Sequence, residues 1–237
     1  MCLGILSAVN CFNLKLAERK MDKKIVFFLS FCTLLASCNI PVDNFKLRDG
    51  DLLFSVGKGE SELLKAIQNA TSKDGEIPFS HVGIACIEND SVFVLEAAPK
   101  QGVVKTPLAD FIDESAKIDS KPTVAVGRMK KVHEKSAKEA PQRALMHLGK
   151  KYDFAYSESN DDFYCSELVR FSFLDSNGKP IFPAQPMSFK NKETRLEEPF
   201  WVDHFKKLNQ EIPEGEPGTN PADMAKSDLI EIVYKYY

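Results

Sequence analysis

The alternation of apolar and polar positions predicts a series of short strands along the chain. LLFSV follows a turn signal at Asp49-Gly50, and SHVGIACI and SVFVLEAA are two β-branched runs joined by the polar sequence END. Runs of this kind, bounded by turn residues, are typical of strands, and so short a connection predicts a hairpin. PTVAVGRM and the C-terminal LIEIVYKYY predict two further strands.

Helical spacing of apolar residues predicts the other elements. The segment 60–70 has one apolar face, and longer helices are predicted over 136–151 and 164–175. Pro141 should lie near the start of the first of these two, because proline is tolerated in the first helical turn. A further helix is predicted in EEPFWVDHFKKLNQ, before the turn-dense EIPEGEPGTNP. Strands with flanking helices predict an α+β fold with a mainly antiparallel sheet.

The N-terminal region carries a targeting pattern. From Met21 the chain has a short basic start, an apolar segment over 25–36, and then LASC ending at Cys38. The apolar segment is too short to span a bilayer but suits a secretory signal, and its end resembles a bacterial lipobox. We therefore predict that residues 1–37 are an upstream extension plus a signal peptide, with Met21 as the candidate start. An ordinary buried helix is the simpler alternative.

Cleavage at this position would leave Cys38 as a lipidated N-terminus. Residues 38–46 would be a lipid-anchored linker, and 47–237 a single catalytic domain. The formal charge of −3 gives no attraction to an anionic membrane, so the acyl chains would hold the protein there. This predicts a membrane-anchored lipoprotein of the bacterial cell envelope. Asn39 is not the aspartate that marks inner-membrane retention, which favours the outer membrane.

Composition excludes several function classes. No basic stripe is present, so nucleic acid is not an expected partner. Of the six cysteines, only Cys86 and Cys165 lie beyond the predicted lipidation site. One disulfide between them is conceivable, but no cysteine pair has metal-ligand spacing and there is no CxxC. We predict no metal site and no cofactor.

Candidate chemistry centres on Cys165 in the sequence NDDFYCSELVR. The cysteine lies near a predicted helix start, with Asp161 or Asp162 as the expected N-cap, where free amides and the helix dipole favour a thiolate. His81 and Glu96 lie on the two strands of the predicted hairpin. A buried carboxylate needs a partner, and a neighbouring histidine would satisfy it. Thiol, imidazole and carboxylate together can activate a cysteine nucleophile.

Simpler interpretations of these residues stay open from periodicity alone. A core cysteine is more often an inert hydrophobe, and Cys86 is expected to be one. Glu167, two residues beyond Cys165, should face elsewhere on the helix and take no part in catalysis. Trp201 is expected to pack in the core or to cover a cleft as a lid. Surface or helix-face positions are expected for the remaining histidines, His133, His147 and His204.

Seven motifs occur in an order that resembles a known family. They are GDLLF, FSHVGIA, VLEAAP followed by GVVKTPLADF, GKKYDFAY, FYCSELV and IPEGEPGTNP, and they span about residues 47–221. Together they resemble the YiiX/YaeF family of circularly permuted papain-like cysteine amidases, relatives of the NlpC-type cell-wall hydrolases. In unpermuted relatives the cysteine helix comes first, whereas here the order is His81, Glu96, Cys165.

The resemblance implies a permuted papain-like fold and a role for each residue. Cys165 would be the nucleophile, His81 the general base and then acid, and Glu96 the residue that orients the imidazole. Tyr152 and Tyr164 match site tyrosines, with a role in the oxyanion region or the substrate wall.

Three functions follow as hypotheses. The first is a hydrolase that cleaves an amide or isopeptide bond in cell-wall stem peptides. The second is a lipid-directed amidase, thioesterase or acyltransferase with the same triad, as in enzymes of the lecithin retinol acyltransferase type. The third is a catalytically silent lipoprotein that binds peptide or lipid. An apolar cleft beside Cys165 would favour lipid, and an open polar groove would favour peptide.

Overall fold

A six-stranded antiparallel sheet forms the centre of the protein, in a computed structural model that describes residues 45–237. The strand order is β10-β7-β1-β2-β3-β4, and every neighbouring pair is antiparallel. The strands are β1 Leu52–Ser55, β2 His81–Glu88, β3 Ser91–Ala98, β4 Gly102–Pro107, β7 Val124–Met129 and β10 Ile230–Lys235. Two two-stranded sheets accompany it, formed by β5 Lys117–Ile118 with β6 Lys121–Pro122, and by β8 Gln185–Pro186 with β9 Pro217–Gly218.

The hairpin of β2 and β3 turns at Asn89 and Asp90. Both residues have positive φ, 47° and 63°, as a two-residue type I′ turn requires. Asparagine and aspartate tolerate this left-handed conformation better than other residues with a Cβ. The predicted hairpin is therefore confirmed, and it fixes His81 and Glu96 on adjacent strands.

Helices cover both faces of the sheet. They are α1 Glu62–Thr71, α2 Leu108–Asp113, α3 Glu134–Leu145, α4 Cys165–Ser172, α5 Pro199–Leu208 and α6 Pro221–Met224. The main core contains Leu168 and Val169 of α4 with Ile84 of β2. A smaller core on the opposite face packs Phe111 of α2 against Ala85. This arrangement confirms the predicted α+β class with a mainly antiparallel sheet.

Helix α3 differs from its prediction over 136–151. It begins at Glu134, ends at Leu145, and carries Pro141 in its interior rather than near its start. Proline has no N–H, so Pro141 cannot donate the usual helical hydrogen bond to the carbonyl of Ala137, four residues earlier. That oxygen lies against Gly50, where an added Cβ would be only 2.0 Å away. Gly50 also has φ +76°, so the turn before β1 needs glycine for two reasons.

Helix α4 is also shorter than predicted, and its expected N-caps are wrong. Tyr164 is the N-cap residue, and Cys165 is the first helical residue. The Tyr164 N–H donates to the carboxylate of Glu167 at 3.3 Å, as in the second half of a capping box. Asp162 instead accepts the N–H of Lys151 at 3.3 Å, because the chain before the helix folds back as a loop.

The predicted signal, the upstream extension and Cys38 lie outside the described residues. Among residues 45–237, no helix is long and apolar enough to cross a membrane.

Candidate active site

His81, the first residue of β2, forms a polar cluster with Glu96 of β3 and Thr106 of β4. Its Nε2 lies 2.5 Å from Oε2 of Glu96, and the other carboxylate oxygen of Glu96 accepts the Thr106 hydroxyl at 2.5 Å. Thr106 of β4 is opposite Val94, so it lies diagonally beside Glu96 on the adjacent strand. Both oxygens of the buried Glu96 carboxylate therefore have a polar partner.

The cluster extends toward Cys165, whose thiol is one of the groups that act on the His81 ring. Burial alone would lower the pKa of His81, but the hydrogen bonds to Cys165 and Glu96 and their charges raise it to about 10. The ring thus favours its protonated form far above neutral pH. An imidazole beside a cysteine at a helix start is the pairing that nucleophilic cysteine catalysis requires.

Glu96 keeps its charge despite being only 7% exposed. Burial would raise its pKa, but the hydrogen bond and charge of His81, together with Thr106, hold the pKa below its usual value. An ionised carboxylate here stabilises the imidazolium and fixes which nitrogen faces the thiol. The arrangement is that of an activated cysteine nucleophile.

Glu167 was predicted to face elsewhere on the helix than Cys165, and the structure buries its side chain. It is 2% exposed and accepts the Tyr164 N–H, directly before Cys165. Burial raises the pKa of Glu167 to about 8, with a smaller contribution from the charges of Asp153 and Glu158. It is therefore a largely neutral side chain that holds the start of α4.

A cavity of about 190 Å³ opens beside Cys165. We call it the aromatic cavity, because tyrosine, phenylalanine and tryptophan side chains supply much of its wall. They are Tyr152, Tyr156, Tyr164, Phe189 and Trp201. Burial is the main cause that raises the pKa of all three tyrosines, so their hydroxyls stay neutral. The two sequence-predicted tyrosines thus lie together with the thiol at one cavity.

The GTNP segment closes the cavity against α4. The Thr219 N–H donates to the Tyr164 hydroxyl at 3.2 Å, and its carbonyl accepts the Ser166 hydroxyl at 3.0 Å. Gly218 passes so close to Tyr164 that an added Cβ would lie 2.9 Å from the phenolic oxygen. The motif therefore fixes the residues on both sides of Cys165.

Three other residues named in the sequence analysis, Trp201, His204 and Cys86, pack or hydrogen-bond within the protein. Trp201 is 2% exposed and packs at right angles to Tyr156 and Phe189, so it belongs to the cavity wall and the core together. His204 lies within hydrogen-bond distance of the carbonyl of Phe154, at 2.7 Å. Cys86 is buried in the core and is a free thiol like Cys165, so the two form no disulfide.

Two residues of the site were not predicted from the sequence. Thr106 lies in GVVKTP, whose β-branched residues could have indicated a strand beside VLEAA. Tyr156 lies in a loop with φ 53°, a conformation that no local pattern around it indicates.

Comparison with known proteins identifies a family and a solved structure that this chain resembles. The model of a family described as permuted papain-like amidase, YaeF/YiiX, matches residues 46–234. An uncharacterized protein YiiX of Escherichia coli is 32% identical over 173 residues, which are 72% of this chain and 76% of YiiX. A crystal structure of YiiX from Escherichia coli has a TM-score of 0.64 at 28% identity, covering 81% of this chain and 99% of that chain.

The solved YiiX structure is described as that of a metalloprotein. In residues 45–237 of the present chain, no group of three or more His, Cys, Asp or Glu side chains could hold a metal ion. The residues described here therefore do not fit such a centre.

The family match covers almost all of the residues that the structure describes, and it includes His81, Glu96 and Cys165. The solved relative has the same fold over nearly its whole length. The chain belongs to the YaeF/YiiX family of permuted papain-like amidases and is a cysteine amidase-type hydrolase.

Proposed function

We propose that the enzyme hydrolyses an amide bond through a covalent intermediate on Cys165. The observation that carries this proposal is the position of His81, whose ring lies 2.5 Å from the Glu96 carboxylate and interacts with the Cys165 thiol. A histidine held in this way can exchange protons with the nucleophile and with a leaving group.

In the first half-reaction, the Cys165 sulfur attacks the carbonyl carbon of the substrate amide. The C–N bond breaks as His81 donates its proton to the departing nitrogen, which leaves a thioester on Cys165. Water then attacks the thioester, and the neutral His81 ring takes its proton. Release of a carboxylic acid restores the thiolate and the imidazolium, which Glu96 stabilises.

Backbone amides at the start of α4 supply the expected oxyanion site. The N–H groups of the first helical turn have no partner within the helix and carry partial positive charge, and Cys165 is the first of these residues. Two buried, neutral phenols, Tyr152 and Tyr164, lie at the same cavity and can donate to the oxyanion or to the substrate.

The walls of the aromatic cavity favour an apolar substrate. Besides the aromatic residues, Ile67, Pro186 and Met187 line it. Burying apolar surface contributes about 25 cal/mol per Å², so an acyl chain gains affinity here that a polar peptide does not. We therefore place a lipid-type amide first among the substrates.

A cell-wall stem peptide is the second candidate. Gln185, Ser188 and Asn220 also line the cavity and could bind peptide amides or carboxylates. The amidase chemistry at Cys165 is the same for both substrates.

The acyl-enzyme is the direct test. The full chain is mixed separately with N-dodecanoyl amides and with soluble stem peptides, quenched in acid, and analysed by intact-mass and peptide mass spectrometry. We expect a dodecanoyl thioester on Cys165, which is absent from Cys165→Ala and retained by Cys86→Ala. A peptidyl adduct instead would select the stem peptide. No adduct and no product with either substrate would support the silent binding protein.

We also propose that the enzyme works at a membrane, anchored through acyl chains on Cys38. The basic start, the apolar segment and the lipobox-like end of the N-terminal sequence support this. Metabolic labelling with a palmitate analogue should label the protein, and Cys38→Ala should lose the label while Cys86→Ala keeps it. Equal labelling of Cys38→Ala would rule out this anchor.

A further inference from the structure

Three cationic side chains line the aromatic cavity, and we call them the cationic rim: Lys190, Lys192 and Arg195. Among the described residues, Asp223 is the one acidic side chain in that lining. It is already engaged, because its carboxylate lies 3.2 Å from Lys192 and accepts the side-chain amide of Asn220 at 2.7 Å. The rim therefore keeps an excess of positive charge in a chain whose formal charge is −3.

Two acidic residues of the segment 190–198, which also contains the cationic rim, form hydrogen bonds away from the cavity. Glu193 accepts the Asp74 N–H at 2.8 Å, and Glu198 accepts the Asn191 side chain at 3.0 Å. Neither lines the cavity. The sequence KNKETRLEE is nearly balanced in charge, but folding separates the signs and directs its cations to the cavity.

Hydrogen bonds hold this segment against the end of α1. The Lys192 N–H donates to the carbonyl of Asn69 at 2.8 Å, and its ammonium donates to the carbonyl of Thr71 at 2.8 Å. The Asn191 side chain accepts the N–H groups of Glu193 and Thr194. The rim is thus a folded part of the cavity wall, and its charges are placed before any ligand arrives.

Lys190 and Arg195 have no carboxylate within ion-pair distance among residues 45–237. Cations beside an apolar wall attract an anion more strongly than cations in open water, because the low-dielectric wall screens them less. Arginine and lysine are also the side chains that bind carboxylate and phosphate groups in proteins.

We propose that the cationic rim binds an anionic group, a carboxylate or a phosphate, carried by a substrate whose apolar part fills the aromatic cavity. The inference rests on the proposed function in that the same molecule presents its amide to Cys165. The cationic rim adds a selectivity that the catalytic residues do not provide, because it favours acyl amides that carry a negative charge over neutral ones. An anionic lipid headgroup in a bilayer is the other source of the same chemistry.

Binding to an inactive protein tests the rim without turnover. The full chain with Cys165→Ala is titrated by calorimetry with N-dodecanoylglycine and with N-dodecanoylglycinamide, below their micelle concentrations. These probes differ in one carboxylate. We expect the anion to bind about tenfold more tightly, a difference that corresponds to about 1.4 kcal/mol and shrinks with added salt. The additional double variant Lys190→Gln/Arg195→Gln should lose the difference.

A matched control carries Lys206→Gln/Lys207→Gln, two exposed lysines of α5, and should keep the preference. Equal affinity for the two probes, no binding of either, or an undiminished preference in the rim variant would overturn the proposal. So would rim-dependent binding to phosphatidylglycerol vesicles with no preference between the soluble probes. If the charge preference is present but the wild-type enzyme makes no acyl-enzyme, the proposed function is wrong, whereas anion binding by the cationic rim is confirmed.

Discussion

Two cysteines lie in the described part of the chain, Cys86 within β2 and Cys165 at the start of α4, and they are similarly buried, at 2% and 5% exposure. Cys86 lies 3.7 Å from the Glu88 carboxylate, and burial, followed by the charges of Glu88 and Asp49, raises its pKa to about 11. Cys165 contacts an imidazole whose own pKa is raised. The two thiols therefore differ in their neighbours rather than in their burial: a carboxylate lies beside Cys86, and an imidazole interacts with Cys165.

The largest expected effect separates the two thiols by activity. Cys165→Ala should lower amide hydrolysis by about a thousandfold or more, because the covalent route is lost. Cys86→Ala should retain activity, since this thiol only fills the core. Steady-state turnover of an N-acyl amide measures both, with circular dichroism to check folding. Comparable losses in the two variants would remove the distinction between the cysteines.

Alkylation tests whether His81 accounts for the difference. At pH 7, iodoacetamide should modify Cys165 and spare Cys86 in the folded protein, as read by peptide mass spectrometry. His81→Ala should slow modification of Cys165 by about tenfold or more, because the imidazole that can take the thiol proton is removed. His133→Ala is the control and should leave the rate unchanged. An unaltered rate in His81→Ala would show that the helix start alone activates the thiol.

The pH profile sharpens the role of Glu96. His81 is protonated up to its pKa of about 10, so kcat/KM should hold into alkaline pH and fall as this proton is lost. In Glu96→Gln the stabilising charge is absent, so the alkaline limb should move to lower pH by about one unit or more. Glu88→Gln, beside Cys86, should leave the limb in place. A coincident limb in wild type and Glu96→Gln would contradict this role.

A smaller effect is expected at Thr106. Thr106→Val removes one hydrogen bond to an ionised carboxylate, which costs about 1.5–3 kcal/mol, and should lower kcat by about tenfold. Thr123→Val is a matched control, because the buried Thr123 hydroxyl has no hydrogen-bond partner in the described structure. Equal activities of the two variants would mean that Thr106 does not help to position Glu96.

The last prediction concerns the carboxyl group two residues beyond Cys165. Burial raises the pKa of Glu167 from 4.5 to about 8 in the folded protein, so the folded protein holds this proton where the unfolded chain has lost it. Its contribution to stability is full below pH 4.5 and is lost as pH rises through 8. Glu167→Gln should therefore gain stability relative to wild type across this interval. Chemical denaturation at several pH values measures the gain.

A difference between Glu167→Gln and wild type that does not change with pH would show that Glu167 is ionised in the folded protein. It would then place a negative charge near Cys165, as Glu88 does near Cys86.

The strand elements of the site could be predicted because their signals are local. Apolar alternation and the short END connection located the hairpin that carries His81 and Glu96. Thr106 was missed because its contact with Glu96 depends on which strand lies beside β3, and residue spacing does not show that. The N-cap of α4 was wrong because Asp162 has a partner in Lys151, supplied by a loop that folds back.

Burial of Glu167 illustrates the same limit. Helical spacing predicted only that Glu167 faces elsewhere on the helix than Cys165, and spacing cannot show that loops cover that face. Asp153 fixes one such loop by accepting the N–H groups of Ala155 and Ser157. The cationic rim was likewise not predicted, because its charges are balanced by acids in the sequence and separated only in the fold.

The order of residues along the chain has a consequence for biosynthesis. The hairpin that carries His81 and Glu96 precedes Cys165 along the chain, separated from it by β4 to β7 and a helix. The sheet is complete only when β10, at the C-terminus, pairs with β7 from the middle of the sequence. A chain released without its last residues would therefore lack an edge strand of the sheet that carries His81 and Glu96.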